Sequence, residues 1–250
     1  MEHIMPAEKQ RRRGEAAARQ PATPAKRRKV ARVAATRTNC SCTARPDVRT
    51  YLERYRSGGE KQVMASLRSL AAGELETELE SCERLRDFIR AYGVPRTFKG
   101  MREDNVLPLA PVVRHLQHRW AELQSLPHED DSTTIIREVD ALADVCKAAG
   151  FARNTSFASK ALNMLGVPLP LFSSECLAYL RLPRTASYAL FQALAWAAAY
   201  EDVDHRSAYE AASKRQLEES DGEEAQLGAR WFAMRGFDVR LLLVGGPMRK

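Results

Sequence analysis

From Asp47 onward, apolar residues recur three and four positions apart, and Gly or Pro interrupts each run. That spacing lines one face of a helix, whereas a half-buried strand needs strict alternation. "DVRTYLERYR" opens at a capping Asp47 and stops at Gly58 and Gly59. "EKQVMASLRSLAAGELETELESCERLRDFIRAYG" predicts two helices or one bent one, with Leu75, Leu79, Leu85, Phe88 and Ile89 at helical spacings and Gly93 as the stop. "RTFKGMREDNVLP" is polar and reads as a loop, and "APVVRHLQHRWAEL" as a helix with Pro111 in its first turn. In "STTIIREVDALADVCKAAG", Ser132 caps and Gly150 terminates. The next helix starts at Asn154 or Thr155 and ends at Gly166; Pro168 and Pro170 then force an extended crossing, and Ser173 caps its successor. "TASYALFQALAWAAAYEDV", "DHRSAYEAASKRQLEE" and "EEAQLGARWFAMRGFDVRLLLVGG" complete the helical set. The nearest thing to a strand, "VRLLLV", also reads as a buried helix end. The expected fold is all-α, a multi-helix globular domain over residues 47–250.

Hydrophobic residues make up 44% of the chain and charged residues 28%, enough apolar material for a real core. No apolar run approaches the roughly 18 residues that a membrane-spanning helix needs. "ALFQALAWAAAY" is the longest, so no membrane partner is expected. Charge begins at Glu2, which leaves no room for a secretory apolar segment. Of the five cysteines, Cys40, Cys42, Cys82, Cys146 and Cys176, only the first two lie close together, with no His beside them. Reduced thiols in an intracellular compartment are expected, with no metal and no cofactor.

The net charge of +7 is unevenly placed. Residues 1–46 hold twelve Lys and Arg against three Glu, a net of +9; the remainder holds 27 bases and 29 acids, a net of −2. With Met1, Ile4, Met5, Val30 and Val33 as its only large apolar residues, the first segment cannot offset its ordering entropy and reads as a disordered basic tail. Inside it, Lys26, Arg27, Arg28 and Lys29 form the compact cluster of "PAKRRKV". Such a cluster is read by nuclear import machinery or contacts DNA. A solubilising tail and an Arg-rich transit peptide are the other readings; four consecutive bases near Pro24 favour the nucleus.

One cation stands out in the folded part. On a helix running from Phe157, residues Phe157, Ala161, Met164 and Leu165 share a face, widened by Ala158 and Leu162, with Ser159 and Asn163 on the polar back. Lys160 falls at the edge of the stripe. There it either lays its methylenes over apolar neighbours with the ammonium in water, or serves as a partly desolvated, nucleophilic amine.

"SFASK", Ser156 to Lys160, resembles the G-x-G-x-K turn of the helix-hairpin-helix DNA glycosylases, the oxoguanine glycosylase branch above all. "PLFSS", Pro170 to Ser174, looks like the segment that carries the catalytic Asp of that family. The likeness covers about Ile135 to Leu182. It implies a glycosylase-like fold in which Ser156 and Ala158 would present backbone amides to a DNA phosphate. Lys160 would attack the sugar of a flipped nucleotide, and Ser173 would stand where the family has its Asp. Ser156 and Ala158 replace both turn glycines, and neither Ser173 nor Ser174 is a carboxylate.

His115, His118 and Glu122 share a helix face that could ligate a metal, but three ligands on one helix seldom converge, and a solvated face is the plainer reading. "WFAMRGFD", with Arg235 and Asp238 three apart, reads as core with a local ion pair or else as a base-stacking surface. Three functions follow in order: a nuclear DNA-associated protein whose glycosylase-like domain lacks the usual Asp; a helical protein-interaction domain sent to the nucleus by its tail; and an active glycosylase or lyase using Lys160.

Overall fold

The computed structural model describes residues 59–92, 105–125 and 132–200, together with Tyr55, Ser57, Val94, Phe98, Lys99, Met101, Ala211, Lys214, Glu218, Leu227, Trp231, Phe232 and 234–238. The tail 1–46, the capping Asp47, Gly93 and "VRLLLV" lie outside the described residues. Every described element is helical or irregular, and the domain is all-α. In chain order the helices are α1 (Glu60–Ala72), α2 (Glu78–Ala91), a 3-10 turn (Leu107–Leu109), α3 (Ala110–Ser125), α4 (Ser132–Ala148), α5 (Thr155–Met164), α6 (Ser174–Tyr179) and α7 (Tyr188–Tyr200). Further helical residues occur at 231, 232 and 234–238.

Local chemistry sets the helix ends. Thr77, Asn154 and Ser173 each accept a backbone N–H through the side-chain oxygen, from Glu80 at 3.1 Å, Phe157 at 2.9 Å and Cys176 at 3.1 Å. At the other ends, Gly73, Gly150 and Gly166 adopt positive φ and return paired hydrogen bonds to the last helical turn. Gly73 therefore divides the long segment into two helices rather than bending one. A fourth stop of the same design, after α6, is made by Arg181 at φ 54, where an L side chain crowds its own backbone.

α1, α2 and α3 pack against one another, and α4 lies against α3, α5 and α7. Their apolar faces, including Met64, Leu67, Leu85, Phe88, Val112, Leu116, Val139 and Leu142, join in one core. Two details differ from the pattern in the sequence. Leu79 is 51% exposed, because it sits in the first turn of α2, off the line of Cys82, Leu85 and Phe88. The polar stretch after α2 nonetheless buries Phe98, whose ring meets those of Phe151 and Phe157.

The larger difference concerns α5. It runs through the middle of the domain and has no solvated back: Ser159 and Asn163 are fully buried. The extended crossing 167–173 folds over that side, and its two prolines keep it from pairing its own backbone in regular structure. Ser159 and Asn163 supply the missing partners. Ser159 Oγ accepts from the Phe172 amide at 3.0 Å, and Asn163 Nδ2 donates to the Leu169 carbonyl at 3.1 Å.

Candidate functional site

Lys160 projects from α5 toward the end of α2. Its Nζ donates to the Tyr92 carbonyl at 3.0 Å, so the head is tied to a helix C-terminus rather than left to bulk water. A cation there offsets the partial negative charge of the unpaired carbonyls. Burial of the side chain lowers the ammonium pKa below the usual lysine range; Glu175 pulls it back up, and Arg235 pushes it further down. The amine is thus partly desolvated, as a nucleophile requires, yet its proton-bearing head is already committed to a backbone oxygen.

Ser173 ends the crossing and opens α6. Its Oγ is occupied as the cap for Cys176, which leaves it an architectural hydroxyl in this geometry. The carboxylate that acts on Lys160 is Glu175, two positions on. Burial alone would raise its pKa, but its own backbone amide, the Ser174 and Ser173 hydroxyls and Lys160 together hold it below the ordinary value. Sequence reasoning misses Glu175 because the resemblance directs attention to 173 and 174. An acid in the first turn of a capped helix is the signal that could have found it.

The residues read as a phosphate-contacting turn lie inside a helix. Ser156 and Ala158 belong to the first turns of α5, and the Ala158 amide donates to the Asn154 carbonyl at 3.0 Å. Ala158 has no exposed surface, while Ser156 is half-buried. The turn between α4 and α5 is residues 149–154, pivoting on Gly150. Its cation, Arg153, is held by two α4 carboxylates, Asp140 at 2.5 Å and Asp144 at 2.6 Å. Charge at the hairpin is therefore balanced locally rather than projected outward. Lys26, Arg27, Arg28 and Lys29 lie outside the described residues.

No family model, curated protein or solved structure matches the chain.

Two other constellations resolve differently. Glu122 turns to Arg119 at 2.5 Å, and Arg119 also grips the buried Glu138 with two nitrogens, at 3.2 and 2.5 Å. Half-buried His115 stands beside that network with its pKa lowered by desolvation, against the pull of Glu138. Among the described residues, no three His, Cys, Asp or Glu side chains gather as a metal-ligand set. In "WFAMRGFD", Trp231 and Phe232 are fully buried and meet Tyr55 edge-on, while the Trp231 indole donates to the Asn163 carbonyl at 2.7 Å. These rings are core, with no face open to a base. Cys82, Cys146 and Cys176 are free and buried, and burial pushes the Cys146 and Cys176 thiols up to about 12, which makes them poor nucleophiles at neutral pH.

Proposed function

We propose that this chain is a nuclear DNA-associated protein that binds through its basic tail and carries a glycosylase-like helical domain without base-excision chemistry. The single observation that carries the reading is the arrangement of residues 132–179. A helix, a turn on Gly150, a second helix bearing Lys160, an extended crossing and a capped third helix follow in the order of the resemblance. Against catalysis stand the two groups on which it would depend. The Lys160 head is bonded to the Tyr92 carbonyl, and Ser173 caps α6 where a carboxylate would be needed. Loss of a positioned general acid–base group costs about 10²–10⁴-fold in rate. Affinity falls to the tail, since the folded part is near neutral.

The test measures binding to a random duplex across salt concentration, using the full chain and its K26A/R27A/R28A/K29A variant. Each phosphate that the protein ceases to neutralise flattens the log–log salt slope by about 0.9, so removing four phosphate-binding cations should flatten it by about 3 to 4. Identical slopes would refute the tail's role. In parallel, borohydride should trap no covalent adduct with a lesion-bearing duplex. An adduct that forms with the wild type and not with Lys160→Ala would make this protein an enzyme. A second reading, a protein-interaction domain, draws support from the outer strip of α7, where Leu190 is 42% exposed between the exposed Ala189 and Ala193.

A further inference from the structure

We propose that the buried Glu60–Arg235–Asp238 cluster is an acid-tightened latch that holds the C-terminal helical residues 231, 232 and 234–238 against α1 and the 167–173 crossing. Arg235 is 6% exposed and Asp238 fully buried. The guanidinium aims two nitrogens at Glu60 Oε1, Nε at 3.2 Å and Nη2 at 2.7 Å. Asp238 is served less well. Its Oδ1 accepts from the Leu171 amide at 3.1 Å, while Oδ2 stands 3.5 Å from Arg235 Nη1, and among the described residues no hydrogen bond reaches it.

Two carboxylates thus share one guanidinium in a nearly dry site, and the better geometry belongs to Glu60. Asp238 is left as the second negative charge, the one that gains most from a proton. Burial pushes its carboxyl up to about 7, against the pull of Arg235 and the Leu171 amide. Among the described residues, the charged and titratable groups that face it are Glu60 from α1 and Arg235 from its own helix, with Cys176 of α6 and Tyr188 of α7 also in its field. Lys160 of α5 and Tyr92 after α2 feel Arg235 in turn.

The direction of the effect follows from where the proton is held. Once the C-terminal helical residues swing free, Asp238 returns toward its ordinary value of 3.8. Between that value and about 7 the closed form binds a proton that the open form does not, so closure weakens as pH rises through this window and levels off above it. One proton changes the opening equilibrium by at most about tenfold per pH unit. The latch lies at a mechanical junction. The same helix seats Trp231 on the Asn163 carbonyl, and the crossing it grips leads into Ser173.

Hydrogen exchange of the full chain tests this, with protection of the amides of 231, 232 and 234–238 and of Leu171 corrected for intrinsic rates from about pH 5.5 to 8.5. The wild type should open more readily as pH rises toward about 7 and then reach a plateau, whereas Asp238→Asn, which keeps an acceptor for Leu171 without the charge, should give a flat profile. A flat wild-type profile, or the same slope in the variant, overturns the proposal. If the variant does not fold, the carboxyl carbon-13 shift of Asp238 in the wild-type chain decides. A titration midpoint above about 6 supports the latch, and one below it refutes it.

Discussion

Replacing Ser159 with Ala asks whether α5 is a surface helix or a buried one, because the two arrangements give opposite signs. On a solvated face the change would be neutral or stabilising by a few tenths of a kcal/mol, since Ala is the better helix former. Here Ser159 is fully buried, and its hydroxyl accepts from the Phe172 amide at 3.0 Å while donating to the Ser156 carbonyl at 3.2 Å. The alanine variant leaves the Phe172 N–H facing a methyl group. An orphaned buried donor costs about 1–3 kcal/mol, with a small part returned by helix propensity, so a net destabilisation of about 2 kcal/mol is expected. For a chain of this size that corresponds to about 4–8 °C in Tm. Urea unfolding followed by far-UV circular dichroism gives the free energy directly, and Ser156→Ala, half-buried on the same helix, is the control that should change it by less than about 0.5 kcal/mol. A Ser159→Ala variant as stable as the wild type would mean that this hydroxyl does not bond the crossing to α5.

Lys160 supplies the next test. Its methylene stem is half-buried while its head carries a desolvation cost, so Lys160→Met should stay within about 1 kcal/mol of wild type and Lys160→Ala should be destabilised by about 1–2 kcal/mol. Equal destabilisation in both would place the contribution in the ammonium. The pH dependence has a definite sign: the folded-state pKa lies below the ordinary lysine value of 10.5, so the unfolded chain holds the proton longer. Wild type should therefore gain on Lys160→Met as pH rises through the window just under that value, and parallel stability curves would contradict this. Arg181→Gly should stabilise the chain by about 0.5–1 kcal/mol, because φ 54 costs an L residue more than the extra chain entropy of Gly. A lower urea midpoint for that variant would show that the arginine side chain contributes more than the strain it carries.

Helix boundaries are legible in the sequence because the forces that set them act within a few residues. Thr77 is hidden inside a continuous charged run, but Asn154 and Ser173 cap where the pattern starts, and Gly150 and Gly166 stop their helices because positive φ suits a residue without Cβ. Apolar periodicity likewise identifies Phe157, Ala161, Met164 and Leu165 as core, and all four are buried. Periodicity does not say what covers the other side of α5, since it ranks side chains by hydrophobicity, whereas a buried Ser or Asn is tolerated once its hydrogen bonds are met. The crossing bonds the Ser159 hydroxyl and Asn163 Nδ2, Asn163 Oδ1 has no partner among the described residues, and Trp231 reaches the Asn163 backbone carbonyl from 68 positions away. Distance in sequence hides the other pairings too. Lys160 finds the Tyr92 carbonyl across 68 positions, and Arg235 finds Glu60 across 175. Local conformational preference is written in neighbouring residues. The identity of a partner for a buried polar group depends on which surfaces the packed helices bring together, and only the tertiary structure decides that.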